Sequence, residues 1–190
     1  MIDREKLHEV LAAIGRALEH PARITIVGSG AGMLSGQDDR QTPDIDVWYP
    51  TSDFDISDLR NACLEAGLLF DPKGHVEADQ MYLQIMRPGI TMLPKQFETE
   101  VYGRFGNLTV TLPPPELIIA TKLARASVSD LEDTSWWVAN SDVTLERIAA
   151  AIGKIPQAEN RETATENLVL VEIAMASRGN EKDDDDDCEP

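Results

Sequence analysis

The chain has 190 residues, of which 42% are apolar, and a formal net charge of −17. Its length suits one domain, or one domain with a small helical appendage, and its apolar share is enough for a packed core. A body this acidic excludes tight, non-specific binding to a nucleic acid backbone, which needs a lysine and arginine surface, yet it admits a nucleotide, whose phosphates a metal and a few local groups can neutralise.

The charge is uneven. Residues from Gly179 on carry Glu181, Asp183 to Asp187 and Glu189 against Lys182; this stretch, 179–190, reads as a disordered acidic tail, since a run of aspartates repels itself and has nothing apolar to bury. Cys63 and Cys188 supply neither a disulfide framework nor zinc spacing. The first residues lack a basic stretch followed by an apolar run, and no apolar segment reaches membrane-spanning length. A reducing, cytoplasmic setting without a membrane partner is the expectation.

In chain order, Asp3 caps a helix running to about Glu19, with Leu7, Val10, Leu11, Ile14 and Leu18 at helical spacing and Pro21 stopping it. His8 and His20 read as surface histidines. Ile24, Ile26 and Val27 mark a buried strand, Gly28-Ser29-Gly30 a turn, and a small-residue helix follows to about Ser35. A polar loop leads to a second strand that starts Asp44-Ile45-Asp46-Val47. Ser57 is expected to cap a helix over Asp58 to Ala66, ended by Gly67. Leu68 to Phe70 is short and apolar, Asp71-Pro72-Lys73-Gly74 is a turn, and Met81 to Met86 is a strand. Arg87-Pro88-Gly89 turns again before a short strand over Ile90 to Leu93. Phe97 to Phe105 and Leu108 to Leu112 flank Gly106-Asn107 as a hairpin.

Pro113-Pro114-Pro115 then ends the sheet and opens a helix over Glu116 to about Ala126, because proline is tolerated in a first turn. Further helices are expected from Ser129 to about Asn140, from a Thr144 cap through Ile152, and over Glu162 to Ala176. Of the adjacent Trp136 and Trp137, one should be buried and one half-exposed. The fold class is α+β: a mixed sheet of roughly five to seven strands flanked by helices, with a helical C-terminal third. The parts are an α/β core over 1–112, a helical region over 113–178 and the tail.

Along a strand side chains alternate faces, so Asp44 and Asp46 share one side while Ile45 and Val47 take the other. Two carboxylates this close repel unless a cation sits between them or one is protonated, and Mg²⁺ prefers such oxygens together with substrate phosphates. The glycine-rich turn upstream is not a dinucleotide fingerprint, because Met33 stands where the third glycine belongs. Nor is it a P-loop, because no lysine occurs between Arg23 and Lys73.

Val27-Gly28-Ser29 followed by Asp44-Ile45-Asp46-Val47 resembles the nucleotidyltransferase superfamily of the DNA polymerase beta fold. The stretch Arg40-Gln41-Thr42-Pro43-Asp44-Ile45-Asp46-Val47, and later Glu116-Leu117-Ile118-Ile119-Ala120-Thr121-Lys122-Leu123-Ala124 with Asp130-Leu131-Glu132-Asp133, are most similar to the prokaryotic AbiEii-like toxins and their small relatives. The resemblance implies Asp44 and Asp46 as catalytic residues and ligands of Mg²⁺ (or Mn²⁺). It implies Gly28, Ser29, Arg40, Thr42 and Lys122 as nucleotide-binding. NTP is the implied substrate, with a protein, RNA or small-molecule hydroxyl as acceptor, and a toxin–antitoxin or defence partner is implied as well.

One departure stands out. Related enzymes usually carry a third carboxylate in an Ile-Asp-hydrophobic-Leu-Pro stretch, and here Ile90-Thr91-Met92-Leu93-Pro94 puts Thr91 there. A threonine hydroxyl is a poor general base; Glu77, Asp79, Glu98 or Glu100 are the nearby acids. The sequence therefore supports two readings: a metal-dependent nucleotidyltransferase, and a catalytically inactive relative that binds a nucleotide or an antitoxin-like protein partner.

Overall fold

The computed structural model describes residues 1–89 and 91–183, with only the backbone described over 177–183. Ile90 and the acidic stretch 184–190 lie outside the described residues. The chain divides into two compact units: Met1–Thr91 with Lys95–Pro114, and Met92–Pro94 with the chain from Pro115 on.

In the first unit, α1 (Arg4–Ala17) begins where Asp3 accepts a hydrogen bond from the Lys6 amide, and it buries Leu7, Val10, Leu11, Ile14 and Gly15. That apolar stripe packs into a core with Ile24, Ile26, Ile45, Val47, Leu59, Leu83, Leu108 and Val110. The strands form two three-stranded sheets: β1 (Ala22–Thr25), β6 (Leu108–Leu112) and β5 (Glu100–Phe105) in one, β2 (Asp44–Trp48), β4 (Tyr82–Met86) and β3 (Leu69–Phe70) in the other. β1 runs parallel to β6, β5 antiparallel to β6, and β2, β4 and β3 are mutually parallel. The architecture is thus α+β with mixed strand pairing, and an isolated antiparallel bridge between Ile26 and Val47 links the two sheets.

Three local expectations are corrected. Helix α3 (Ile56–Glu65) is capped by Asp55, which accepts from the Asp58 amide, and not by Ser57; a carboxylate is a stronger acceptor than a hydroxyl for an unpaired first-turn N–H. Thr91 forms an isolated bridge with Pro88, and among the described residues no strand runs through Thr91 to Leu93. His8 is half-buried, not a simple surface residue: its Nε2 lies 2.7 Å from the Tyr102 hydroxyl.

The second unit is helical: α4 (Pro115–Arg125), α5 (Val128–Asn140), α6 (Leu145–Ile152) and α7 (Ala158–Asp183). Ser127 and Asp130 form a reciprocal capping box at α5, and Thr144 caps α6 by accepting from the Arg147 amide. Trp137 is buried at 4% exposure and Trp136 is half-exposed, as expected for adjacent helix positions. Among the described residues no helix is long and apolar enough to cross a membrane.

Lys122 is buried inside this unit, where its ammonium donates to Asp133 at 2.5 Å and lies 3.7 Å from Asp130. Arg125 donates to both Asp130 oxygens, at 2.7 and 2.5 Å. Burial raises the Asp130 pKa, but hydrogen bonds from Arg125 and Ser127 and the nearby positive charges outweigh it and hold the carboxyl down at about 2, against an ordinary 3.8. A depressed carboxyl pKa stabilises the fold above its unfolded value, and that contribution vanishes as pH falls through the folded value. The difference corresponds to about 2 kcal/mol. Urea unfolding of the wild type is therefore expected to weaken between about pH 4 and pH 2, and Asp130→Asn should flatten that slope; an unchanged slope in the variant would remove Asp130 from the account.

Candidate active site

The site is built on the end of β1, the turn after it, and β2. The Val27 amide donates to the Asp46 carbonyl at 2.9 Å, so the chain leaves β1 directly alongside β2. Gly28 then adopts φ +63, a left-handed conformation that strains any residue with a Cβ. A Cβ at Gly28 would lie 2.7 Å from Asp46 Oδ2, so the missing side chain is what lets the carboxylate sit against the turn. The short helix α2 (Gly28–Leu34) follows, with Val27 at its N-cap and no side chain capping it. First-turn amides have no intrahelical acceptor, and the Val27 side chain cannot cap them. Gly28 and Ser29 are both half-exposed.

Asp44 and Asp46 share one face of β2 and are half-buried, while Ile45 and Val47 on the other face are fully buried. Asp44 is held in place from two sides. The Thr42 hydroxyl donates to its Oδ1 at 2.5 Å, and Thr42 is itself fixed by reciprocal backbone bonds with Ile2, of 2.7 and 3.0 Å. On β4, Tyr82 is the register partner of Asp44. Burial first, then the charge of Asp44 with its hydrogen bond and the charge of Asp46, push the Tyr82 phenol above its usual pKa. Arg40 lies half-buried in the loop between α2 and β2. Lys122 belongs to the helical unit, in the ion cluster described above.

The strand beside β2 is β4, and the residue in register with Asp46 is Gln84. A third acid is expected at Thr91; the position facing Asp46 across the sheet is the amide Gln84. Glu77, Asp79, Glu98 and Glu100 are all exposed. Among the described residues no group of three or more His, Cys, Asp or Glu side chains could hold a metal unaided. Two carboxylates on one strand face, one of them against a backbone turn, have the oxygen chemistry that would suit a hard divalent ion sharing phosphate ligands.

No curated protein matches the chain. The solved structure of JHP933 from Helicobacter pylori is similar at 17% identity and a TM-score of 0.49, over 95% of this chain and 94% of that one. A family model described as "Nucleotidyltransferase of unknown function (DUF6036)" matches residues 5–171, a span that takes in the glycine turn, both aspartates and most of the helical unit, and the chain therefore belongs to that nucleotidyltransferase family.

Proposed function

We propose that the protein is a metal-dependent nucleotidyltransferase that moves a nucleoside monophosphate from an NTP to a hydroxyl of a protein, RNA or small molecule. The observation that carries this reading is the Asp46 carboxylate set against Gly28, with Asp44 on the same strand face. In the reaction the acceptor oxygen bonds to the α-phosphorus, the bond from that phosphorus to the bridging oxygen breaks, and pyrophosphate leaves with its electron pair. Asp44 and Asp46 would hold Mg²⁺ (or Mn²⁺), which when bound neutralises charge on the transferring phosphoryl group. The amides of Gly28 and Ser29 and the Ser29 hydroxyl bind phosphate oxygens, and Arg40 adds positive charge beside them. Thr42 and Tyr82 orient Asp44. With Gln84 in place of an acid beside Asp46, the proton of the acceptor hydroxyl is left to Asp44, Asp46 or water. Positioning and electrostatics carry phosphoryl transfer, so this set is chemically sufficient in kind. The resemblance to AbiEii-like proteins extends the proposal to a toxin–antitoxin or defence role in the cytoplasm.

A second reading is favoured by one observation: no three-acid cluster occurs among the described residues. It makes the protein a nucleotide-binding or antitoxin-like module that does not turn over. Titration with each NTP, with and without Mg²⁺, followed by transfer of an α-phosphate label to protein and RNA acceptors, separates the two. Mg²⁺-dependent binding with label transfer is the expected result. Binding without transfer to any acceptor selects the second reading, and no Mg²⁺-dependent NTP binding overturns the first.

A further inference from the structure

Two turns that the sequence marks only as turns, Asp71-Pro72-Lys73-Gly74 and Arg87-Pro88-Gly89, converge on one carboxylate. Asp71 Oδ2 accepts from Lys73 Nζ at 2.7 Å and from Arg87 Nη2 at 2.9 Å; Oδ1 accepts from Gln84 Nε2 at 2.6 Å and from the Ile85 amide at 3.2 Å. The carboxylate is nearly buried, its side chain 8% exposed, while Lys73 and Arg87 are 70% and 45% exposed. A carboxylate offers about four acceptor sites, and all are taken here. The two cations therefore share one negative charge, leaving a local excess of one positive charge in a chain whose net charge is −17.

The backbone marks this as more than a pair of surface ion pairs. Asp71 has φ 44, a left-handed conformation that is unfavourable for a residue with a side chain. Glycine would relieve that strain and lose the carboxylate. What Asp71 provides is a fixed placement of two cationic heads whose donors are mostly unspent: an ammonium has about three N–H groups and a guanidinium about five, against one bond to Asp71 from each and one further bond from Arg87 to the Ile85 carbonyl.

The placement relative to the aspartates follows from the sheet. Gln84, which donates to Asp71, is the register partner of Asp46, so Asp46, Gln84 and Asp71 form a row across β2, β4 and the end of β3. Two strand spacings separate Asp46 from Asp71, about 10 Å. One phosphate group cannot touch both ends of that row.

We infer that Lys73 and Arg87, organised by Asp71, form a second anion subsite beside the aspartate pair, which takes a phosphate group distinct from the one that reacts. The chemistry of the site, a guanidinium fork and an ammonium, is that of phosphate recognition. Two sources supply such a group: the terminal phosphate of the NTP, and a phosphate already on the acceptor. The choice of source rests on the nucleotidyltransferase reading; the subsite itself does not.

The test uses the full chain and pyrophosphate in metal-free buffer, measured by calorimetry. Wild type is expected to bind, Lys73→Gln/Arg87→Gln to bind at least 10-fold more weakly, and Lys73→Arg/Arg87→Lys to retain binding. Lys73→Glu serves as the second variant, since so exposed a side chain can be reversed in charge without unfolding the chain; it should weaken binding and lower its salt dependence. Absence of pyrophosphate binding in wild type, or equal affinity in Lys73→Glu, overturns the subsite. Two further arms assign the source. If the phosphate is the nucleotide's own, the gain in affinity from NMP to NTP shrinks in Lys73→Glu. If it is the acceptor's, NTP affinity holds while the preference for a 5′-phosphorylated over an unphosphorylated oligonucleotide is lost. Should wild type bind pyrophosphate through these cations yet fail to bind any NTP with Mg²⁺, the subsite stands and only the nucleotidyltransferase reading falls.

Discussion

Gly15→Ala is expected to destabilise the protein by about 3 kcal/mol or more, although helix propensity alone argues the opposite sign. In the interior of a helix alanine is favoured over glycine by roughly 1 kcal/mol. Here that preference is overridden by a contact: a Cβ built on Gly15 would lie 1.6 Å from the Phe105 carbonyl oxygen. The obstacle is backbone, so no rotamer change relieves it, and α1 must move off the β5–β6 hairpin. The hairpin is seated there by several bonds. The Asn107 amide donates to the Gly15 carbonyl at 3.0 Å, its side chain donates to the Leu18 carbonyl at 2.8 Å, and a Cβ on Gly106 would come within 2.5 Å of the Gly15 oxygen. Separating these surfaces loosens the core that Leu11 and Ile14 share with Leu108 and Val110. Overpacking against immobile neighbours costs about 1–3 kcal/mol when the structure can adjust, and more when it cannot. For a chain of this size 3 kcal/mol corresponds to a fall of roughly 6–12 °C in Tm. Gly74→Ala, at a glycine with open space around its α-carbon, is the matched control and should leave Tm unchanged. Equal melting of Gly15→Ala and wild type would show that α1 does not press on the hairpin.

This contact illustrates what a sequence does and does not carry. Signals that act within a few residues were legible: the Asp3 and Thr144 caps, the Gly106-Asn107 hairpin turn with φ +58 at Gly106, and the apolar stripe of α1. The nearness of the glycine turn to the Asp44–Asp46 strand came from the resemblance of the two motifs and not from a short connection, since α2 and a polar loop lie between β1 and β2. Choices decided by distant partners were not. The Asp58 carboxylate in α3 accepts from the Glu19 and His20 amides, partners far away in the chain. That Gln84 faces Asp46 depends on β4 inserting between β2 and β3, a parallel pairing with no local signature. The convergence of Lys73 and Arg87 on Asp71 needs the pairing of β3 with β4. Lys122, which the resemblance makes a nucleotide-binding residue, is held by Asp133, 11 residues on in the next helix.

Asp44→Asn with Asp46→Asn should separate binding from stability. Both aspartates sit on one face of β2, where like charges oppose each other, so removing the charges is expected to leave Tm unchanged or raise it. An asparagine keeps a carbonyl oxygen for the Thr42 hydroxyl that now bonds Asp44 at 2.5 Å, which preserves the local hydrogen bonding. What is lost is anionic donors for a divalent ion. Loss of outer partners around a metal already costs about 10–100-fold in affinity, and loss of the donors themselves should exceed that. The expected result is Mg²⁺-dependent NTP affinity reduced by at least about 100-fold, with label transfer undetectable. Gly28→Ala tests the same site without touching a charge. Its Cβ would lie 2.7 Å from Asp46 Oδ2, and its φ of +63 is unfavourable for alanine, so the turn or the carboxylate must shift. A metal-dependent site should then lose NTP affinity in both variants, one by charge and one by position. If the double asparagine variant binds NTP and Mg²⁺ as wild type does, the two aspartates are not the metal's ligands. If only Gly28→Ala loses binding, the turn holds phosphate without help from the strand, and the metal has no part in holding the nucleotide.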